Sequence, residues 1–304
     1  MATKRNYDGP SPAEVLTADL IELMERGDLP PWRKEWTGGS GPHRNLATGA
    51  SYSGANPILL ELGSMMRGHT LPLWIGSSQA RPNGWFPRKG SKSVRIIRPQ
   101  INKYTEECPA TGDEITNQWV SFKPVPVFNA HDLVGKCEES QAALDDAIRV
   151  ATKQYGGSGS ECQRLDSAES VLEKWCVETQ FGGSQACYSP TADVIRMPHA
   201  RDFETREAFC ATWAHEQAHS TGHSSRLDRP MGGAMGSKAY AREELVAELA
   251  AVLVCYRLQI GCKIENHAAY LKHWVEILKE DSKVIFKILS QARAAADLIA
   301  PEAA

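Results

Sequence analysis

The chain has 304 residues, long enough for two ordinary domains that each bury a core. Its 34 basic and 37 acidic side chains nearly cancel, but 16 of the basic and only 13 of the acidic ones lie in residues 1–136, so a mildly basic front precedes an acidic back. No run of 18 apolar residues occurs, no apolar signal core follows the first residues, and the eight cysteines form no Cys-x-x-Cys pair; this speaks against membrane spanning, secretion and a disulfide scaffold, and predicts reduced thiols in a cytoplasmic protein.

Within residues 12–26, Val15, Leu16, Leu20, Leu23 and Met24 recur at helical spacing and Gly27 offers a stop, which predicts a first helix. From Pro30 to Asn56 the composition is that of a loop, interleaved with Trp32, Trp36 and Tyr52. A second helix is expected over Pro57–Arg67. Short strands follow at Leu73–Ile75, Ser93–Ile97, Trp119–Phe122 and Pro126–Phe128, separated by turn pairs such as Asn83-Gly84 and Lys89-Gly90. Residues 1–136 are therefore expected to form an α+β domain. Residues 137–165, with the tract GGSGS, are expected to be a linker holding at most a short helix. Beyond it, helices are predicted over 168–180, 204–220, 238–259 and 266–299, with one short strand at Val194–Met197, giving a mainly helical second domain, 166–304.

The string HEQAH, His215 to His219, carries the clearest chemistry. Two histidines four apart on a helix project from one face about one turn from each other, so both imidazoles can reach one ion. Glu216 sits beside that face, where its carboxylate can take a proton from an attacking water. Thr205 offers the helix start, Phe209 and Trp213 an apolar i, i+4 pair, and Gly222 a stop. A catalytic zinc keeps three protein ligands and one open position, so a third ligand is needed. The position ten residues after His215 is Ser225, which excludes the pattern with a third histidine there.

The segment YAREELVAELAAVLVCYRLQI supplies a better candidate. Leu245, Leu249, Val252 and Tyr256 make one apolar face, and Glu244 and Glu248 stand four apart on one stripe. Carboxylates in so apolar a helix are costly unless paired or bound to metal. Glu244 is assigned as third ligand and Glu248 as the carboxylate that orients a ligand histidine, with Glu243 taken as a solvated charge. Tyr240 and His223 are candidate donors to an oxyanion, and His223 is also an alternative ligand. The cofactor expected is Zn2+ or another divalent metal in its place. The segment CYSPTADVIRMP reads either as an edge strand able to pair with a peptide or as an ordinary core strand.

Between Glu61 and Glu106 there is no acidic residue. That interval holds Arg81, Arg88, Lys89, Lys92, Arg95 and Arg98, interleaved with Trp74, Trp85 and Phe86. Cations that track phosphates beside rings on which bases stack are the ingredients of a single-strand groove. A solvated basic face over an aromatic core has the same composition.

These strings together resemble the ArdC-type antirestriction proteins of plasmids and phages. The front half is similar through PWRKEW, PHRNLATGASYSGAN, GWFPRKGSKSV and FKPVPVFN, and the back half through YSPTADVIRMP, AHEQAHSTGHSSRLDR and YAREELVAEL. The resemblance implies a front domain that binds single-stranded DNA, a zincin-like metallopeptidase domain with an unknown protein substrate and with Glu244 among its ligands, no membrane partner, and protection of incoming DNA from restriction. Gln217 stands where an apolar residue is implied, next to Glu216. Two functions remain open at this point: an enzyme targeted by its DNA-binding domain, or a DNA-coating protein whose metal domain is structural.

Overall fold

The computed structural model describes residues 42–107, 114–155, 160–234, 237–260 and 268–301, together with Ala13, Glu14, Thr17, Ala18 and Ile21. Those five isolated residues are helical, in agreement with a helix over 12–26. The rest of that span, Trp32 and Trp36 lie outside the described residues.

The first half is built on a four-stranded sheet, order β1-β2-β5-β4, from β1 (Arg44–Asn45), β2 (Leu73–Gly76), β4 (Val94–Glu107) and β5 (Glu114–Asn129). Helix α1 (Asn56–Arg67) packs on it, and Gly63 is what lets it approach: a methyl at that position would come within 2.2 Å of Val94. The strands expected at Trp119–Phe122 and Pro126–Phe128 are one strand of 16 residues, paired with β4 from Val94↔Val127 to Glu107↔Glu114. The strand runs through Pro124 and Pro126. Two prolines two residues apart lack their N–H on the same side, and β2 pairs only with Val127–Asn129, so the ladder survives through the intervening residues.

A second small sheet joins β3 (Trp85–Pro87) to β6 (Leu133–Gly135). Directly after it comes α2 (Glu138–Tyr155), in the span expected to be a linker. This 18-residue helix is part of the first core: Leu144 and Ala151 are buried with Leu73, Ile75, Trp85 and Leu133. Its charged surface masks a narrow apolar stripe of Leu144, Ala147, Ile148 and Ala151, which at i, i+3, i+4, i+7 fits one helix face. Gly135 permits the tight entry, since a Cβ there would lie 2.2 Å from the main-chain nitrogen of Gln141.

The second half starts at α3 (Glu161–Leu172), opened by a reciprocal capping box between Ser160 and Gln163; it lies earlier than the expected 168–180. A three-stranded sheet, order β7-β9-β8, follows from β7 (Thr179–Phe181), β8 (Cys187–Ser189) and β9 (Val194–Met197). The remaining helices are α4 (Arg206–Ser220), α5 (Lys238–Leu258), α6 (Ala268–Glu280) and α7 (Val284–Ile299), the last two separating at Asp281–Lys283 within the single span expected. Helix α5 is buried on nearly every side against α4, α6 and α7, as its run of Ala, Val and Leu requires. No helix among the described residues is long and apolar enough to cross a membrane.

The halves meet at His43. Its main-chain N–H donates to the Tyr256 hydroxyl at 2.6 Å, its Nδ1 accepts from Trp74 Nε1 at 3.1 Å, and its Nε2 lies 3.1 Å from Glu61. Ile58 of α1 joins the helical core, so the two halves share apolar packing as well.

Candidate metal centre

Helix α4 begins where Thr205 Oγ1 accepts from the Ala208 amide at 3.1 Å. Phe209 and Trp213, ring centroids 5.5 Å apart, anchor its apolar side, and Trp213 Nε1 donates to Thr179 Oγ1 of β7 at 3.0 Å. One turn on, His215 and His219 face α5 and meet Glu244. The two Nε2 atoms are 3.1 Å apart, Glu244 Oε2 lies 3.6 Å from His215 Nε2, and Glu244 Oε1 lies 3.5 Å from His219 Nε2. No other group of three His, Cys, Asp or Glu ligand atoms converges in this way among the described residues.

These distances test the fit to a metal. Donors arranged tetrahedrally about 2.1 Å from an ion stand about 3.4 Å from one another. The two imidazole nitrogens, 3.1 Å apart, and the two carboxylate oxygens, each 3.5–3.6 Å from one of them, lie near that spacing. Glu244 Oε2 is moreover buried and has no hydrogen-bond partner among the described residues, a costly arrangement for a carboxylate that a cation would relieve. Two imidazole nitrogens and one carboxylate, with a fourth position open, form the donor set of a catalytic zinc site.

Electrostatics point the same way. Burial disfavours charge on Glu244, but the facing imidazoles of His215 and His219 outweigh it and hold the carboxyl far below its ordinary range. Burial likewise works against a charged His219, and Glu243 and Glu244 reverse it, raising that imidazole to about 10. The carboxylates thus favour a cation at this point: in the metal-free chain it is the proton on His219, which a metal ion would have to displace. Glu216 is buried, 8 % exposed, and its charge is among those acting on His219.

The residue that orients His219 is Glu243, which sequence reasoning left to solvent. It is 8 % exposed, its Oε1 lies 3.4 Å from His219 Nδ1, and Arg229 grips both its oxygens, Nε to Oε2 at 3.0 Å and Nη2 to Oε1 at 2.5 Å. Arg229 also donates to Thr221 Oγ1 at 2.6 Å and to the Ala218 carbonyl at 2.9 Å, so it caps the end of α4 from below. Gly222 makes room for it: a Cβ there would lie 3.0 Å from Arg229 Nη2. No sequence signal marked Glu243 as buried, because the cation that explains its burial arrives from a loop. Glu248 is fully buried one turn beyond Glu244.

The other candidates distribute differently. Gln217 turns away from the site and donates to the Leu172 carbonyl at 2.8 Å, which accounts for an amide inside α4. His223 Nδ1 pairs with Ser225 Oγ at 2.8 Å and lies outside the group of converging ligand atoms, and Tyr240 is half-buried on the first turn of α5. Of the two readings of 187–198, β9 is the core strand, with Ile195 and Met197 fully buried at the sheet centre; the edge next to it is β8. Tyr188 of β8 donates to Asp193 at 2.7 Å, and Arg226 beyond α4 grips the same carboxylate, so this edge is tied to the segment that follows the histidines.

In the first half, Arg81, Arg88, Lys89, Lys92, Arg95 and Arg98 are all exposed, and Phe86 is 37 % exposed. Trp74 and Trp85 are not available to stack on bases. Trp74 is 1 % exposed with its Nε1 spent on His43, and Trp85 is 6 % exposed with its Nε1 spent on the Ser140 carbonyl at 3.1 Å. Lys123, missed because it lies beyond the acid-free interval, is exposed and stands opposite Arg98 in the β4–β5 ribbon.

The comparisons with known proteins follow this division. Residues 11–130 match the N-terminal domain of the anti-restriction factor ArdC, and residues 166–291 match a zincin-like metallopeptidase domain. The chain is similar to a DNA primase TraC of Escherichia coli, 32 % identical over 94 % of this chain and 27 % of the relative, and to another TraC primase at 30 % over 94 % and 20 %. It therefore spans about a quarter or less of these relatives' length. It is 27 % identical to the uncharacterized protein y4eC of Sinorhizobium fredii, over 98 % of this chain and 94 % of that one. Crystal structures of the antirestriction ArdC protein from the R388 plasmid, metal-free and Mn(II)-bound, align with TM-scores of 0.68 and 0.67 at 29 % identity, covering 94 % of this chain and 96 % of theirs. With both halves matched in order and the whole fold shared, the chain belongs to the ArdC-type family, an ArdC N-terminal domain followed by a zincin-like metallopeptidase domain.

Proposed function

We propose that this protein is an antirestriction factor that binds single-stranded DNA through its first half and hydrolyses a peptide bond in its second, with zinc held by His215, His219 and Glu244. The observation that carries the reading is the convergence of those three side chains at ligand spacing, with the buried Glu216 next to them on α4. Bound there, zinc would supply Lewis acidity and lower the pKa of an attacking water. Glu216 takes the proton from that water and passes it to the leaving amine. Glu243, braced by Arg229, fixes the ring of His219, and Glu248 supports the ligand set from within α5. The β8 edge, next to α4 and held by Tyr188, Asp193 and Arg226, offers main-chain groups to an extended peptide.

The DNA reading rests on the exposed cations of 81–98 and on the matched domain, and it is supported by the likeness to the antirestriction ArdC protein and to the TraC DNA primases. Coating of incoming single strands then denies a nuclease its substrate by occupancy, while the peptidase acts on a protein met at the DNA.

Glu216→Gln separates the two activities. The amide keeps the size of the side chain but cannot accept the proton, so peptide hydrolysis is expected to fall by about 10²-fold or more, the scale of a lost general base. Zinc content and DNA affinity stay at parental values. A variant that still cleaves at the parental rate removes the enzymatic reading. One that protects DNA in cells as well as the parent assigns protection to coating alone.

A further inference from the structure

On the side of α5 away from Glu244 lies a cavity of about 470 Å³, a volume suited to a small molecule. Arg242 and Val246, each two residues from Glu244, line it, and positions two apart on a helix do not share a face. The cavity is therefore not the peptide cleft. Ile277 of α6 and Val284 of α7 add apolar wall.

Its charges are unequally spent. Arg229 is committed to Glu243, and Lys238 to Glu280. Arg242, half-buried, and Lys287 make no hydrogen bond or ion pair with any described residue. Asp281 is the remaining carboxylate, and its Oδ1 already accepts from the Lys283 amide at 2.9 Å. A concave apolar wall with two uncommitted cations, one of them a guanidinium fork, is built to receive an oxyanion carried on an apolar body.

The same wall reaches the metal centre. Arg229 and Glu243 both line the cavity, and Glu243 is the carboxylate 3.4 Å from His219 Nδ1. An oxyanion seated beside Arg242 offers Arg229 a second acceptor and repels Glu243, which loosens the support of His219.

The geometry points to a binding site for a small organic anion, a phosphate or carboxylate on an apolar body, which acts as an effector of the metal centre. The ligand chemistry is that of the oxyanion, and two probes separate its sources: phenyl phosphate and benzoate, with benzyl alcohol as the uncharged control.

Calorimetric titration of the full metal-free chain is expected to show one saturable site for at least one of the two anions and none for the alcohol. In the double variant Arg242→Gln, Lys287→Gln the affinity falls at least tenfold while the unfolding midpoint stays within the parental range; Arg242→Ala alone gives an intermediate loss. In chelator competition, a saturating amount of the bound anion weakens Zn2+ binding at least threefold in the parent and leaves it unchanged in the double variant. The site is overturned if neither anion binds, if the alcohol binds as well as the anions, or if the double variant binds them undiminished. Bound anion with unaltered Zn2+ affinity overturns the effector role.

Discussion

Arg229 and Glu243 form a doubly bonded ion pair inside the wall behind His219, with Nε to Oε2 at 3.0 Å and Nη2 to Oε1 at 2.5 Å. Both side chains are almost wholly shielded from water. Removing one partner of a buried pair leaves an uncompensated charge, a loss on the order of 3–5 kcal/mol, whereas replacing both by apolar groups is often near neutral. Arg229→Ala is therefore expected to destabilise the protein by about that amount, and Arg229→Met combined with Glu243→Leu by far less. Denaturant unfolding of the two variants beside the parent measures both. Equal losses in the single and double variants would show that packing, not charge, sets the effect.

The pair also governs the metal. Glu243→Gln keeps the shape of the group that orients His219 but removes its charge, which is expected to weaken zinc binding by about 10–100-fold. Glu244→Ala deletes a ligand atom and is expected to lose more. Competition with a chromophoric chelator ranks the two. If Glu243→Gln binds zinc more weakly than Glu244→Ala, the ligand assignment between these neighbours is reversed.

The tie between β8 and the segment beyond α4 gives a pH dependence. Hydrogen bonding from Arg226, aided by Tyr188, holds the Asp193 carboxyl below its ordinary value of 3.8. A carboxyl whose folded pKa is depressed stabilises the fold above its unfolded pKa, and the contribution is lost as pH falls through the lower folded value. Asp193→Asn is thus expected to be less stable than the parent at pH 7, with the difference shrinking as pH falls below about 4. Asp193 has φ 50°, a conformation asparagine also accepts, so the substitution adds no backbone strain. A stability difference that is constant with pH would contradict this account.

For DNA, burial and exposure predict opposite behaviour for two kinds of candidate. Reversing Arg98 and Lys123, opposite one another on the ribbon, is expected to weaken single-strand binding by about tenfold at low salt and to reduce its salt dependence. Trp74→Phe loses the bond to His43 and is expected to cost about 1 kcal/mol of stability with no change in DNA affinity. Fluorescence titration at two salt concentrations and thermal unfolding distinguish the outcomes. DNA affinity lost in Trp74→Phe but kept in the ribbon variant would move the interface elsewhere.

What could be read before the structure depended on how local the cause was. The meeting of His215, His219 and Glu244 was legible, because helical spacing aligns the first two and the cost of carboxylates in an apolar helix marks the third. Glu243 was not, since its partner Arg229 comes from fourteen residues upstream and adjacency to Glu244 carries no orientation. Trp74 and Phe86 look alike in composition; only sheet packing makes the first a core residue and leaves the second at the surface. Helix α2 was hidden differently. Its apolar stripe is four residues wide in a strongly charged segment beside a Gly-Ser tract, so composition outweighed period.

The contact between His43 and Tyr256 ties inheritance in the two halves together. A main-chain amide of the first half ends on a hydroxyl of the helix that carries Glu243, Glu244 and Glu248. Exchange of one half between family members then brings a His43 loop and a Tyr256 ring shaped by different ancestors into one junction. Chimeras that exchange one half are expected to lose stability where this seam no longer matches, so the two halves act as a joined unit rather than as interchangeable modules.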